Sequence, residues 1–205
     1  MNLLAIGAHP DDIEIGCAGT IMKYKNNGAN LYLMVMTDGY MGGDARIRHR
    51  EQKRSAKIMQ ADEVFWGGHK DTDLQYKGRE LIDSIESVLK KIRPAFVFVN
   101  YPKDTHQDHR VLAEATVSAA RYSKNVLFYE CPTSVDFHPS VFVDISQFMK
   151  RKIKALSAHA SQINRTNIEG LSILEIAKSA AHFRGTQGRV SYAEGFHPLR
   201  LFIES

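Results

Sequence analysis

Short apolar runs of strand length recur along the chain with longer amphipathic stretches between them, a rhythm that confines it to βαβ units around a parallel sheet. Strands are expected at Leu3–Gly7, Leu31–Thr37, Val64–Trp66, Ala95–Asn100 and Val126–Tyr129, and helices at Gly16–Asn26, Ala45–Gln60, Glu80–Ile92 and Asp108–Tyr122. Gly28, Gly67–Gly68 and Pro94 mark the breaks between them. Crossovers of this kind are right-handed. The expected fold is therefore α/β, a Rossmann-like, doubly wound, mostly parallel sheet. Beyond Pro132 the rhythm changes: a strand-like Val141–Ile145, helices at Ser146–His159 and Leu171–Phe183, and a strand-like Leu199–Ile203. One domain spanning 1–205 is expected, with a core at 1–131 and an extension at 132–205 that packs on the sheet and shapes a pocket.

At 205 residues and 43 % hydrophobic content the chain can bury a sizeable core. Its net charge of +4 is spread along the sequence, with the densest cluster at Arg46–Arg54, RIRHREQKR. That stretch suits phosphates or equally a solvated helix face, and no nucleic-acid partner is expected from it. Two isolated cysteines, Cys17 and Cys131, make neither a disulfide framework nor a CxxC metal site. The amino-terminal apolar run is interrupted at His9 before it could form a signal core, and no run reaches membrane-spanning length. A soluble, cytoplasmic protein without a membrane partner is expected.

The first apolar run ends in an unusual way. LLAIGAHPDDIEIG, residues 3–16, closes a buried-type strand with a histidine, a proline and two adjacent aspartates. Neighbouring carboxylates at the mouth of a core strand repel and cost desolvation, which a bound cation would compensate. With strand order 3-2-1-4-5, strands one and four are neighbours and the crevice lies beyond their carboxyl ends. The loop after strand four, YPKDTHQDHR at 101–110, is the other place where histidines and aspartates gather.

Imidazole nitrogens with one carboxylate suit Zn2+, although Fe2+, Mn2+ or Co2+ accept the same set. His9, Asp12 and His109 are the expected ligands. Three protein ligands leave room for a water whose pKa falls toward about 7. Asp11 is then the candidate general base, and His106 either an oxyanion donor or the acid for the leaving group, with Asp108 fixing its tautomer. Each motif alone also reads as a turn with an Asp helix cap, or as exposed histidines at a helix start. Their coincidence at one crevice favours the metal site. GxGxxG, Walker and GxSxG patterns are absent. Asp71-Thr-Asp73 is read as a capped surface turn, and Cys17, among Gly16, Ala18 and Gly19, as close packing.

At these residues the chain resembles the PIG-L/LmbE family of zinc-dependent N-deacetylases that act on N-acetylglucosamine-containing substrates. Ala8–Asp12, AHPDD, matches its first motif; His106–His109 matches its second, usually HPDH, with Gln107 in place of proline. Arg48–Glu51 resembles its RxxE segment, and further likeness appears in Val143–Ile145, Lys154, His159–Gln162 and Tyr192–Phe196. The resemblance implies the first Asp as base, the second as ligand, and the first histidine of HxDH as the group that stabilises the intermediate. It implies substrate contact by Arg48, with Arg50 as the alternative, through a bidentate grip on a carboxylate or phosphate; a surface arginine on a basic helix is the other reading of Arg48. Tyr192, Glu194 and His197 are expected to line the pocket, unless they only dock the last strand. The length and the YAEGF ending look closest to the bacterial branch that deacetylates N-acetylglucosaminyl malate in bacillithiol synthesis, whose members form trimers or hexamers, so a homo-oligomer is implied. A nucleotide-linked or antibiotic-precursor conjugate, and a non-catalytic sugar or nucleotide binder, stay open.

Overall fold

The computed structural model describes residues 1–203. Seven strands form one sheet: β1 (Asn2–Gly7), β2 (Asn30–Thr37), β3 (Glu63–His69), β4 (Phe96–Asn100), β5 (Val126–Tyr129), β6 (Val141–Asp144) and β7 (Ala193–Arg200). Their order is β3-β2-β1-β4-β5-β7-β6. The first five strands run parallel; β7 is antiparallel to β5, and β6 to β7. The helices are α1 (Asp12–Gly16), α2 (Ala18–Asn26), α3 (Ala45–Met59), α4 (Gly78–Ile92), α5 (Gln107–Ala119), α6 (Met149–Ser157) and α7 (Ile173–Gly188).

Successive strand side chains point to opposite faces, and β1 shows both faces buried. Leu4 and Ile6 join an apolar layer with Leu81, Ile85 and Leu112 of α4 and α5. Leu3 and Ala5 join the opposite layer with Ile13, Ile21, Met59 and Ala155 of α1, α2, α3 and α6. The doubly wound order and the parallel core are as expected, and β1 lies between β2 and β4 with Ala5 beside Leu33 and Phe98.

Three expectations change. The helix expected at Gly16–Asn26 is two helices, starting at Asp12 and breaking at Cys17, whose φ of −143° lies outside the helical range. Gly67 and Gly68 do not end β3: the strand continues to His69, with its register to β2 shifting between Val35 and Thr37. A Cβ on Gly67 would lie 2.7 Å from the Met36 carbonyl oxygen, so glycine there permits close strand approach. The last strand is Ala193–Arg200 rather than Leu199–Ile203.

Candidate active site

The site forms where β1 and β4 end. Ala8 N donates to Asn100 Oδ1 at 3.2 Å, and Ala8 O accepts from Thr37 N and Oγ1 at 2.9 and 2.8 Å, so the end of β1 is tied to both neighbours. The chain then turns through Pro10 and Asp11 into α1. Asp11 has φ 104°, left-handed backbone that a non-glycine residue adopts at a cost. Asp12 Oδ2 accepts from His9 N at 2.9 Å and closes the turn. At the start of α5, His106 Nδ1 accepts from Asp108 N at 3.3 Å, so His106 itself caps the helix.

His9, Asp12 and His109 come together in the resulting crevice, all buried. The Asp12 carboxylate lies between the two imidazoles, with Oδ2 3.5 Å from His9 Nδ1 and Oδ1 3.3 Å from His109 Nε2. The far nitrogen of each ring meets another carboxylate. His9 Nε2 is 2.9 Å from Asp71 Oδ1 and 3.3 Å from Asp108 Oδ2. His109 Nδ1 is 3.1 Å from Asp104 Oδ2, an ion-pair contact rather than an aligned hydrogen bond. Carboxylates behind both rings are the arrangement that orients metal-bound histidines and raises their basicity. The His106 ring lies 4.5 Å from His9 and 4.8 Å from His109 between centroids.

The electrostatics favour a cation. Burial disfavours charge on His109, yet Asp12 and Asp104 outweigh it and push its pKa up to about 9. His9 is likewise raised, the hydrogen bonds to Asp108, Asp12 and Asp71 overcoming its burial. Asp12 is held well below the usual carboxylate range by His109 and His9 despite desolvation. Asp108 Oδ1 is buried and has no hydrogen-bond partner among the described residues. A buried site with Asp12, Asp71, Asp104 and Asp108 around two imidazoles fits a divalent ion. Among the described residues, potential donor atoms lie within 4.8 Å of one another in three groups: His9, His106 and His109; Asp12, His109 and Cys131; and His9, Asp71 and Asp108. The expected ligands His9, Asp12 and His109 are spread over these groups rather than forming one of them.

Asp11 differs from its neighbour. Burial pushes its carboxyl up to about 6, opposed by the adjacent Arg48 charge. His106 moves the other way, lowered by burial and by the positive charges of His9 and His109.

Several expected residues do other work. Asp108 does not fix the His106 tautomer by its carboxylate; its Oδ2 accepts from Thr72 N at 2.7 Å and meets His9. Arg48 is buried on α3, with its guanidinium donating to Gly39 O at 2.8 Å, Pro10 O at 2.5 Å and Asp11 Oδ2 at 3.2 Å. Those bonds brace the Asp11 turn, Arg48 Nε has no partner among the described residues, and Arg50 is exposed. Glu194 is absent from the His/Asp cluster: its oxygens accept from Gly19 N and Thr20 N at the start of α2, and from Lys152 Nζ. Tyr192 packs against His182, 4.2 Å between ring centroids, and His197 against Tyr101.

Asp71 is the main omission. Instead of a surface turn it is buried, accepting from Met41 N at 3.1 Å and meeting His9. The signal was topological: Asp71 follows the carboxyl end of β3, on the same rim as the other two loops. Asp104 lies inside the second polar cluster, where the histidines carry the stronger metal-site signal.

The chain matches the PIG-L family, GlcNAc-PI de-N-acetylase, over residues 4–120, a span containing both polar clusters. It belongs to that family. As a PIG-L deacetylase it is an enzyme of the class that hydrolyses N-acetyl amides. It is 32 % identical over 187 residues to a diacetylchitobiose deacetylase of Thermococcus kodakarensis, covering 78 % of this chain and 70 % of that protein. It is 28 % identical over 183 residues to a probable N-acetyl-alpha-D-glucosaminyl L-malate deacetylase 2 of Bacillus anthracis, covering 78 % and 81 %. Its fold superposes on the N,N'-diacetylchitobiose deacetylase of Pyrococcus horikoshii, in complex with the inhibitor MPG, with a TM-score of 0.83 at 28 % identity, over 97 % of this chain and 83 % of that one. No described helix is long and apolar enough to cross a membrane.

Proposed function

We propose that this PIG-L protein is a zinc-dependent hydrolase that removes acetate from a small molecule containing N-acetylglucosamine. The observation that carries the reading is the convergence of His9, Asp12 and His109 with a carboxylate behind each imidazole. Those three residues would hold the ion. When bound, Zn2+ supplies Lewis acidity, making water more acidic and drawing electron density from the amide carbonyl.

The chain's own groups account for the proton movements. Asp11, with a carboxyl raised to about 6 by burial, sits near the value that serves a general base at neutral pH. It takes a proton from the attacking water. His106 Nδ1 is occupied by the Asp108 N–H, so in the neutral ring Nε2 carries the hydrogen and can donate to the oxyanion of the tetrahedral intermediate. The C–N bond then breaks as Asp11 returns its proton to the departing amine. Acetate and the free amino sugar result.

Arg48 bears on the aglycone. Its guanidinium is held by Gly39, Pro10 and Asp11 while Nε has no partner among the described residues, so an anionic conjugate such as N-acetylglucosaminyl malate stays a candidate substrate. The similarity to diacetylchitobiose deacetylases supports a neutral N-acetylated disaccharide as the second substrate to test. Acetate release from a panel containing N-acetylglucosaminyl malate, N,N'-diacetylchitobiose and nucleotide-linked N-acetylglucosamine tests both. Release from one or more members is expected with Zn2+ present. No release from any member, with the ion bound, would leave a sugar-binding protein without the chemistry.

A further inference from the structure

Asp11 holds a left-handed backbone conformation that costs energy, so neighbouring groups must over-determine it. Two side chains one turn apart on α3 reach the turn. Arg48 grips the Pro10 carbonyl and the Asp11 carboxylate, and Gln52 Oε1 accepts the Asp11 backbone N–H at 3.3 Å. Gln52 is fully buried, and its Nε2 donates to Glu14 Oε1 at 2.7 Å. That second bond fixes the amide orientation: a flipped Gln52 would place its oxygen against the Glu14 carboxylate and its NH2 against the Asp11 N–H.

Glu14 is itself buried, 3.4 Å from the buried His159 of the carboxyl-terminal region. Glu51, also on α3, accepts from Ser161 N and Oγ at 2.8 and 2.7 Å and anchors the same segment. A buried carboxylate retained beside an imidazole needs a reason, since apolar packing would fill the same space without desolvating charge. Here its geometric consequence is that Gln52 has one acceptable orientation, aimed at Asp11.

We propose that Gln52 is a positioning residue for deacetylation, holding the Asp11 turn through the backbone N–H while Glu14 locks the Gln52 amide. This rests on the reading of Asp11 as the base. Gln52→Met keeps the length but removes both hydrogen bonds. Gln52→Glu keeps an acceptor for Asp11 but sets two buried carboxylates together. Combining Gln52→Glu with Glu14→Gln exchanges amide and carboxylate and restores one donor between them.

The test measures kcat and KM with N,N'-diacetylchitobiose as probe, zinc per chain, and hydrogen exchange of the Asp11 amide. Displacement of the base predicts a kcat loss of about 100-fold in Gln52→Met and in Gln52→Glu, with zinc content unchanged. KM stays within about twofold, because ground-state binding is not touched. The Asp11 amide exchanges faster in both single variants, and the exchanged pair recovers most of the protection and of kcat. Unaltered Asp11 exchange in Gln52→Met, a kcat within about twofold of the parent, or no recovery in the exchanged pair would overturn the proposal. If Gln52→Met does not fold, Gln52→Glu and the exchanged pair carry the same comparison. Inactivity of the parent protein would count against the deacetylase reading, and full activity of Asp11→Asn against the base, while the amide exchange still decides whether Gln52 holds the turn.

Discussion

The buried Lys152–Glu194 pair is self-sufficient, and the buried charge around His9 and His109 is not. Lys152 Nζ donates to Ile15 O and to Glu194, whose oxygens also accept from Gly19 N and Thr20 N at 2.9 and 2.7 Å. Each charge there has opposite charge or backbone partners, and the pair pins β7 to α2 and α6. Around His9 and His109, by contrast, Asp12, Asp71, Asp104 and Asp108 crowd two imidazoles, with Asp108 Oδ1 unpaired among the described residues. Satisfied buried charge is architecture, and an unbalanced surplus of carboxylate is a place for a cation. By sequence both Asp12 and Glu194 are expected at the site, the first as a metal ligand and the second lining the pocket. Their partners separate them.

Substitutions at either cluster separate the two. The largest effect is expected for Asp11→Asn, which keeps the ligands and removes the base: turnover should fall by about 1,000-fold with zinc content unchanged. Near-parental turnover would remove Asp11 from the mechanism. Next, Lys152→Met leaves Glu194 buried without its cation and should cost about 3–5 kcal/mol in urea unfolding, with zinc binding retained in the folded fraction. A loss of zinc without a loss of stability would show the two clusters to be one. Asp104→Asn weakens the support of His109, and zinc affinity by competition with a chelator should drop about 10–100-fold. The smallest effect belongs to the exposed pair Lys91–Glu63, at 2.8 Å, where Lys91→Ala should change stability by less than about 1 kcal/mol and leave zinc affinity alone.

Much of the core could be read because its signals are local. Leu3–Gly7 and Leu31–Thr37 are apolar runs long enough for a strand buried on both faces, and the parallel order follows from the alternation with helices. The crevice between β1 and β4 then places His9, Asp12 and His109 together. What could not be read depends on partners distant in sequence. Ala193–Phe196 contains Glu and Gly, poor strand residues, and becomes β7 because it pairs with both β6 and β5. Asp71 looks like any Asp of a turn until β3 is set beside β2 and its loop folds over His9. An RxxE spacing does not reveal the carbonyls of Pro10 and Gly39, to which Arg48 donates.

Anomalous diffraction at the zinc edge from crystals of the zinc-loaded protein would locate the ion. A peak is expected about 2 Å from nitrogens of His9 and His109 and a carboxylate oxygen of Asp12, with Asp11 outside bonding distance. A peak bound instead by Asp71 and Asp108, or none near His109, would contradict it.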